Sequence, residues 1–233
     1  MNVTKLPAVG LHRLFRFGSI IIVGWGILLS AASLQAALIA PGALLFPAPA
    51  VTLPGGNIVG GGVAQLFNSA TFSGTLTSTV LANDPTNPFG LNGLTFTYQL
   101  LNLPNSPGEI DRLTIASFAN FLADAGQVPV AGNVAPAYID RSLLGNGATM
   151  GFSFAQVPLG FGTLQPGQTS DLLVVHTNST SFSASTANVI DGSVEQVPTV
   201  APIMGLPTVP EPSSIILAVL AGTGLLVFSR RRT

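Results

Sequence analysis

Residues 71–80 read Thr-Phe-Ser-Gly-Thr-Leu-Thr-Ser-Thr-Val. Phe72, Leu76 and Val80 fall on one side of this run, and Thr71, Ser73, Thr75, Thr77 and Thr79 on the other. A period of two marks a strand with one face in a core, because successive strand side chains point to opposite faces. Two further runs repeat the pattern. Leu94, Phe96, Tyr98 and Leu100 alternate with Thr95, Thr97 and Gln99, and Ala148, Met150, Phe152 and Phe154 alternate with Thr149, Gly151 and Ser153. Leu172–Val175 is continuously apolar between Asp171 and His176, which suits a strand buried on both faces. Leu113, Ile115, Val189 and Ile190 add shorter candidates. Turn signals separate these runs at Asn83-Asp84-Pro85, Pro107-Gly108, Gly145-Asn146-Gly147, Pro166-Gly167 and Asp191-Gly192. Phe118–Gly126 reads as a strand end or one short helix, and no other stretch of the body shows a helical stripe. Short strands with regular turns predict an all-β protein whose body, residues 67–198, is a single antiparallel β-sandwich.

Composition narrows the class and makes an intracellular helical bundle the wrong reading. Of the 233 residues 47% are hydrophobic and only 7% charged, where soluble domains average about 25% charged. The absence of cysteine excludes a disulfide scaffold, thiolate metal sites and a cysteine nucleophile. Between residues 37 and 209 only Arg112 and Arg141 stand against eight acids, so no clustered cations exist to neutralise phosphates. Nucleic acid is excluded as a partner.

Both ends point to a membrane. Lys5, Arg13 and Arg16 precede the apolar run Ile20–Leu29, and small residues follow up to Ala36. Basic region, short apolar region and small-residue exit predict a signal peptide over residues 1–36, cleaved after Ala36; the alternative is an uncleaved anchor helix. Residues 37–66 form a Pro/Gly-rich entry segment, read as a linker or first edge strand, because its glycines lack the Gly-Lys-Ser/Thr of a phosphate loop. Residues 199–208 form a linker. Ser213–Ser229 is uncharged, and as a helix would span about 25 Å, the short end of the transmembrane range. Arg230, Arg231 and Arg232 follow, and clustered arginine beside a span marks its cytoplasmic side. The body is then expected to face outward, as a membrane-anchored precursor whose mature form lies on the cell surface or outside the cell.

Pro210-Glu211-Pro212 stands immediately before that apolar stretch. The order of Pro-Glu-Pro, apolar span and terminal arginines over residues 209–233 resembles the PEP-CTERM sorting tail of bacterial exported proteins. The resemblance implies processing by an exosortase near Pro210, Glu211 and Pro212. It also implies a surface or matrix protein of an exopolysaccharide-producing bacterium. Physically, the two prolines keep the processing segment extended and out of the helix.

The body offers little catalytic chemistry. His176 is its only histidine, and with Asp171 and nearby serines it could be drawn as a hydrolase triad. No Gly-x-Ser-x-Gly elbow supplies a nucleophile, and a strand-end histidine is expected at the surface. One histidine without cysteine gives no zinc site. Asp84 with Asn87, Glu109 with Asp111, and Asp191 fall near turns and could offer oxygens to calcium. The simpler reading is turn chemistry, with Glu109 and Asp111 pairing with Arg112. No metal or other cofactor is therefore expected. The hydroxyl stripes Thr71–Thr79 and Thr177, Ser179, Ser181, Ser183 and Ser185 read as solvated strand faces, with O-glycosylation or an ordered carbohydrate-binding array as alternatives. The expectation is a non-catalytic surface or matrix protein associated with exopolysaccharide or other surface glycans. Its alternative is a carbohydrate-binding or adhesive β-sandwich module with a defined glycan site.

Overall fold

The computed structural model describes residues 37–155 and 162–204. They form twelve strands: β1 (Ala37–Leu38), β2 (Leu44–Leu45), β3 (Asn57–Asn68), β4 (Ser73–Ala82), β5 (Thr95–Asn102), β6 (Arg112–Ile115), β7 (Ala123–Val128), β8 (Tyr138–Arg141), β9 (Met150–Ser153), β10 (Leu172–Thr177), β11 (Phe182–Asp191) and β12 (Ser193–Pro202). One six-stranded sheet runs β1-β7-β10-β5-β4-β3 and the other β12-β11-β6-β9-β8-β2, and all named strand pairs are antiparallel. The fold is all-β. Among the described residues a single 3-10 turn, Leu144–Asn146, is the only helical element. The stretch Phe118–Gly126 turns and then enters β7 as a strand.

The alternation does what the sequence requires of it. Phe72, Leu76 and Val80 on or beside β4 are fully buried, as are Phe96, Tyr98 and Leu100 on β5 and Met150, Phe152 and Phe154 on or after β9. They join Leu113, Ile115, Ile139, Val189 and Val197 of the second sheet in one apolar cluster. Two contacts tie the sheets directly. The Tyr98 hydroxyl donates to the Val200 carbonyl at 2.9 Å, and burial pushes that phenol well above its usual range. Gly60 on β3 lies so close to the Phe182 ring that a Cβ there would collide with it.

The second faces are less exposed than period two alone suggests. Thr95 and Thr97 are buried although they alternate with core residues. Residues of the entry segment help close that side: Val51 packs on Gly126, and the Gly55 N–H reaches the Asp84 carboxylate. Residues 37–66 thus contribute β1, β2 and most of β3, and β12 continues past residue 198 to Pro202. The stripe from Thr177 to Ser185 does not share one face, because β10 ends at Thr177 and a turn precedes β11. Thr177 at the end of β10 and Ser179 in the turn are buried, their hydroxyls donating to the carbonyls of Leu94 and Ser181.

Antiparallel register sorts the connections to two ends. Residues 53–57, 83–94, 116–122, 142–149 and 178–181 cluster at one end, which Ala37 leads into and Ile203 leaves; we call it the exit end. Connections 69–72, 103–111 and 129–137 and the tight β11–β12 turn lie at the far end. That turn passes through Gly192 alone, whose φ of +59° falls in the left-handed region that favours glycine.

Candidate functional site

At the exit end the loop after β4 turns on Asp84. Its Oδ1 accepts the N–H of Thr86 at 2.9 Å, the Thr86 hydroxyl at 2.8 Å and the Gly55 N–H at 2.9 Å; its Oδ2 accepts the Thr95 hydroxyl at 2.7 Å. An aspartate bonding the N–H two residues on is a turn device that the Asn83-Asp84-Pro85 signal anticipates. Burial would raise this carboxyl, but the hydrogen bonds from Thr95, Thr86 and Gly55 hold it below the usual range.

His176 lies beside it and is 2% exposed, which corrects the expectation of a surface residue. Register explains the burial: His176 is paired with Thr95 on β5 and with Asp124 on β7, so the three side chains form one row across the sheet. Nε2 sits 3.5 Å from Asp84 Oδ2 and 3.3 Å from the Thr86 hydroxyl; Nδ1 sits 3.9 Å from Asp124 Oδ2. Neither His176 Nδ1 nor Asp124 Oδ1 has a hydrogen-bond partner. Burial depresses the imidazole pKa, partly offset by the charge of Asp84, and burial pushes Asp124 up to about 6. Asp171 is not part of the group. It precedes the opposite end of β10, buried and accepting the Val130 N–H at 2.8 Å.

A second buried charge braces the same end. The Arg141 guanidinium donates to the carbonyls of Gly147, Ile39, Phe118 and Phe121 at 2.7–3.0 Å, joining three exit-end segments. Sequence reading placed neither the strand β8 nor a buried charge at Arg141. Four inward carbonyls from separate loops leave no local signature.

The far end gathers acids instead. Carboxylate oxygens of Glu109, Asp111 and Asp191 lie within 4.8 Å of one another, and Glu109 Oε2 accepts from Thr163 at 2.7 Å and Gln165 at 2.6 Å. Burial, then the charges of Asp191 and Glu109, raise Asp111; burial and Glu109 raise Asp191. Arg112 does not neutralise them, contrary to expectation. Its guanidinium pairs with Asp140 at 2.7 Å and lies 6.0 Å from the Tyr138 ring centroid. Of the turn acids singled out in the sequence, Asp84 is engaged by Thr86, Thr95 and Gly55, and these three alone come together. With one oxygen each, the three carboxylates would supply about half the six to eight oxygens that calcium takes.

Between the sheet edges β3–β4 and β12 runs an open groove of about 240 Å³, lined in part by Gln65, Ser78 and Thr199. Thr199 is 5% exposed and its hydroxyl has no hydrogen-bond partner.

Beyond β12 the backbone is last held where the Ile203 N–H bonds the Ser181 carbonyl and the Ser179 hydroxyl bonds the Ile203 carbonyl. From there the chain leads into its C-terminal tail. Residues 208–232 match the PEP-CTERM protein-sorting motif. The PEP-CTERM match contains Pro210, Glu211 and Pro212 together with Arg230, Arg231 and Arg232, all outside the described residues. It implies an exported, sorted protein processed by an exosortase. No curated protein and no solved structure matches the chain. Among the described residues no helix is long and apolar enough to cross a membrane; the expected signal helix and the span Ser213–Ser229 both lie outside them.

Proposed function

We propose that this chain is a non-catalytic surface or matrix protein, delivered as a membrane-anchored precursor and cut by an exosortase near Pro210-Glu211-Pro212. In this reading its two sheets are the layers of a β-sandwich, and its weakly charged, hydroxyl-bearing strands associate with exopolysaccharide. The PEP-CTERM match at residues 208–232 carries the proposal. The commitment of both Thr86 and Thr95 hydroxyls to Asp84 supports the absence of catalysis at His176, since neither is free to act as a nucleophile. Intact mass spectrometry of the protein from the surface and medium of its host tests it. A mature form beginning near Ala37 and ending near Pro212 is expected. A mass that keeps Ser213 to Thr233 in every fraction would sink the processing step.

The groove favours a second reading, a module with a defined glycan site. The Thr199 hydroxyl belongs to its lining and has no protein hydrogen-bond partner, which leaves it for a sugar hydroxyl. Saturable binding of one glycan, lost in Thr199→Val, would select the module over the matrix protein.

A further inference from the structure

We propose that the exit end is a membrane-resting platform, on which the anchored precursor sits against the outer leaflet of the bilayer. The inference rests on the sorting-tail reading above and adds an orientation that the tail alone does not specify.

Three independent features of the body converge on it. First, β12 ends and Ile203 is held at this end, so the chain leaves the body there toward its tail. Second, that end exposes apolar side chains with no internal task. Leu143 is 73% and Leu144 83% exposed, and Leu38, Leu122, Ile203 and Met204 also face outward. Third, among the described residues of that end no charged side chain is exposed, because Asp84, Asp124, Arg141 and His176 are all buried. The far end holds Glu109, Asp111, Asp191 and Glu195 instead, which oppose contact with lipid.

The loops are also held in place. Arg141 fixes segments 37–43, 116–122 and 142–149 through four backbone carbonyls, and Asp84 fixes residues 83–94 against Gly55. The leucines therefore project from braced turns, so that little ordering entropy is lost when they enter a membrane interface.

Tether length excludes the inverted orientation. From Met204 to Ser213, where the apolar stretch begins, nine residue steps reach at most about 32 Å. Turning the acidic end to the bilayer would require the tether to run back along the ten residues of β12, about 33 Å, and past the loops. Because the platform carries no exposed cation, its contact is apolar and independent of lipid charge. That separates it from the basic patches that read anionic headgroups.

The sequence contains no cysteine, so single-cysteine probes can be placed in the full-length, uncut chain. An environment-sensitive dye at Leu144→Cys, Val194→Cys or Thr223→Cys is reconstituted into phosphatidylcholine vesicles carrying a nitroxide-labelled lipid. The Leu144 and Thr223 probes are expected to be quenched about threefold or more over the Val194 probe. That ratio should be unchanged by salt or by added anionic lipid, and should fall when Leu38 and Leu143 are replaced by serine. Quenching at Thr223 with equal signals at Leu144 and Val194 overturns the platform and leaves the tail reading intact. No quenching at Thr223 overturns the tail reading, and the platform with it. A Leu144 probe shielded from lipid in a concentration-dependent way assigns this end to a second copy of the chain, and also overturns the proposal.

Discussion

His176 and Asp124 face each other across β10 and β7 with unsatisfied polar atoms between them, and their titrations run in opposite senses. Asp124, pushed up to about 6 from 3.8, keeps a proton in the native state where the unfolded chain has lost it. Alone, it stabilises the fold at low pH, and that contribution is lost as pH rises from about 3.8 through about 6. His176 is depressed, so its contribution is present above about 6.5 and lost as pH falls through its native value. Where the two ranges overlap, folding strengthens proton binding at Asp124 and weakens it at His176, an exchange of proton affinity between the two sites. The two slopes offset. Asp84 does not disturb the balance, since its contribution is lost only below the ordinary carboxylate range. His176→Gln should therefore unmask Asp124, losing on the order of 1–3 kcal/mol of stability between about pH 4 and pH 7. Asp124→Asn should tilt the other way, losing stability as pH falls below about 6.5. Urea unfolding across this range reads both slopes, and profiles parallel to wild type would contradict the proton exchange.

At the scale of elements, β3 is the least regular part of the fold. It lies at a sheet edge, its pairing with β4 shifts register between Ile58 and Gly60 and again between Gly61 and Ala64, and Ile58, Val63 and Leu66 are exposed. Bulges of this kind twist an edge and blunt its pairing with other chains. Gly60 sits in the shifted stretch and accepts the Phe182 ring of β11 in place of a side chain of its own. Gly60→Ala should force the ring or the edge aside and cost about 1–3 kcal/mol, measured as a lowered Tm; an unchanged Tm would show that the edge yields freely. These elements also mark how far the sequence could be read. Alternation through Phe72–Val80, Leu94–Leu100 and Met150–Phe154 announced strands whose core faces are buried as expected, because each strand states its pattern locally. The burial of Thr95, His176 and Asp124 was not legible. It depends on β10 being paired in register with β5 and β7, strands distant in the sequence, and on a remote entry segment closing the outer side. The acidic group at the far end was half legible: turns placed its members, but only the fold brought Asp191 to Glu109 and Asp111.

Across the whole molecule, charge is separated by end, and the few cations cannot redress it. Between residues 37 and 209 the sequence has only Arg112 and Arg141. The first is paired with Asp140 and the second is enclosed by backbone carbonyls. Glu109, Asp111 and Asp191 thus repel one another at a half-buried surface that no arginine of the body reaches. Burial and mutual charge raise Asp111 and Asp191, so each contributes stability that is present at low pH and lost as pH rises through its native value. Above that loss the mutual repulsion of the group opposes folding. Screening should relieve it, because the Debye length falls from about 30 Å at 0.01 M salt to less than 10 Å at 0.5 M. Sodium chloride raised over that range at about pH 7 should increase Tm by about 2–4 °C, equivalent to roughly 1 kcal/mol in a body of this size. Asp191→Asn removes the acid that the fold brings to the other two, and should reproduce most of that gain in low salt while flattening the salt response. Calorimetry of wild type and variant at both ionic strengths decides the point. A wild-type Tm indifferent to salt, or a variant that keeps the full response, would place the dominant charge repulsion elsewhere in the molecule.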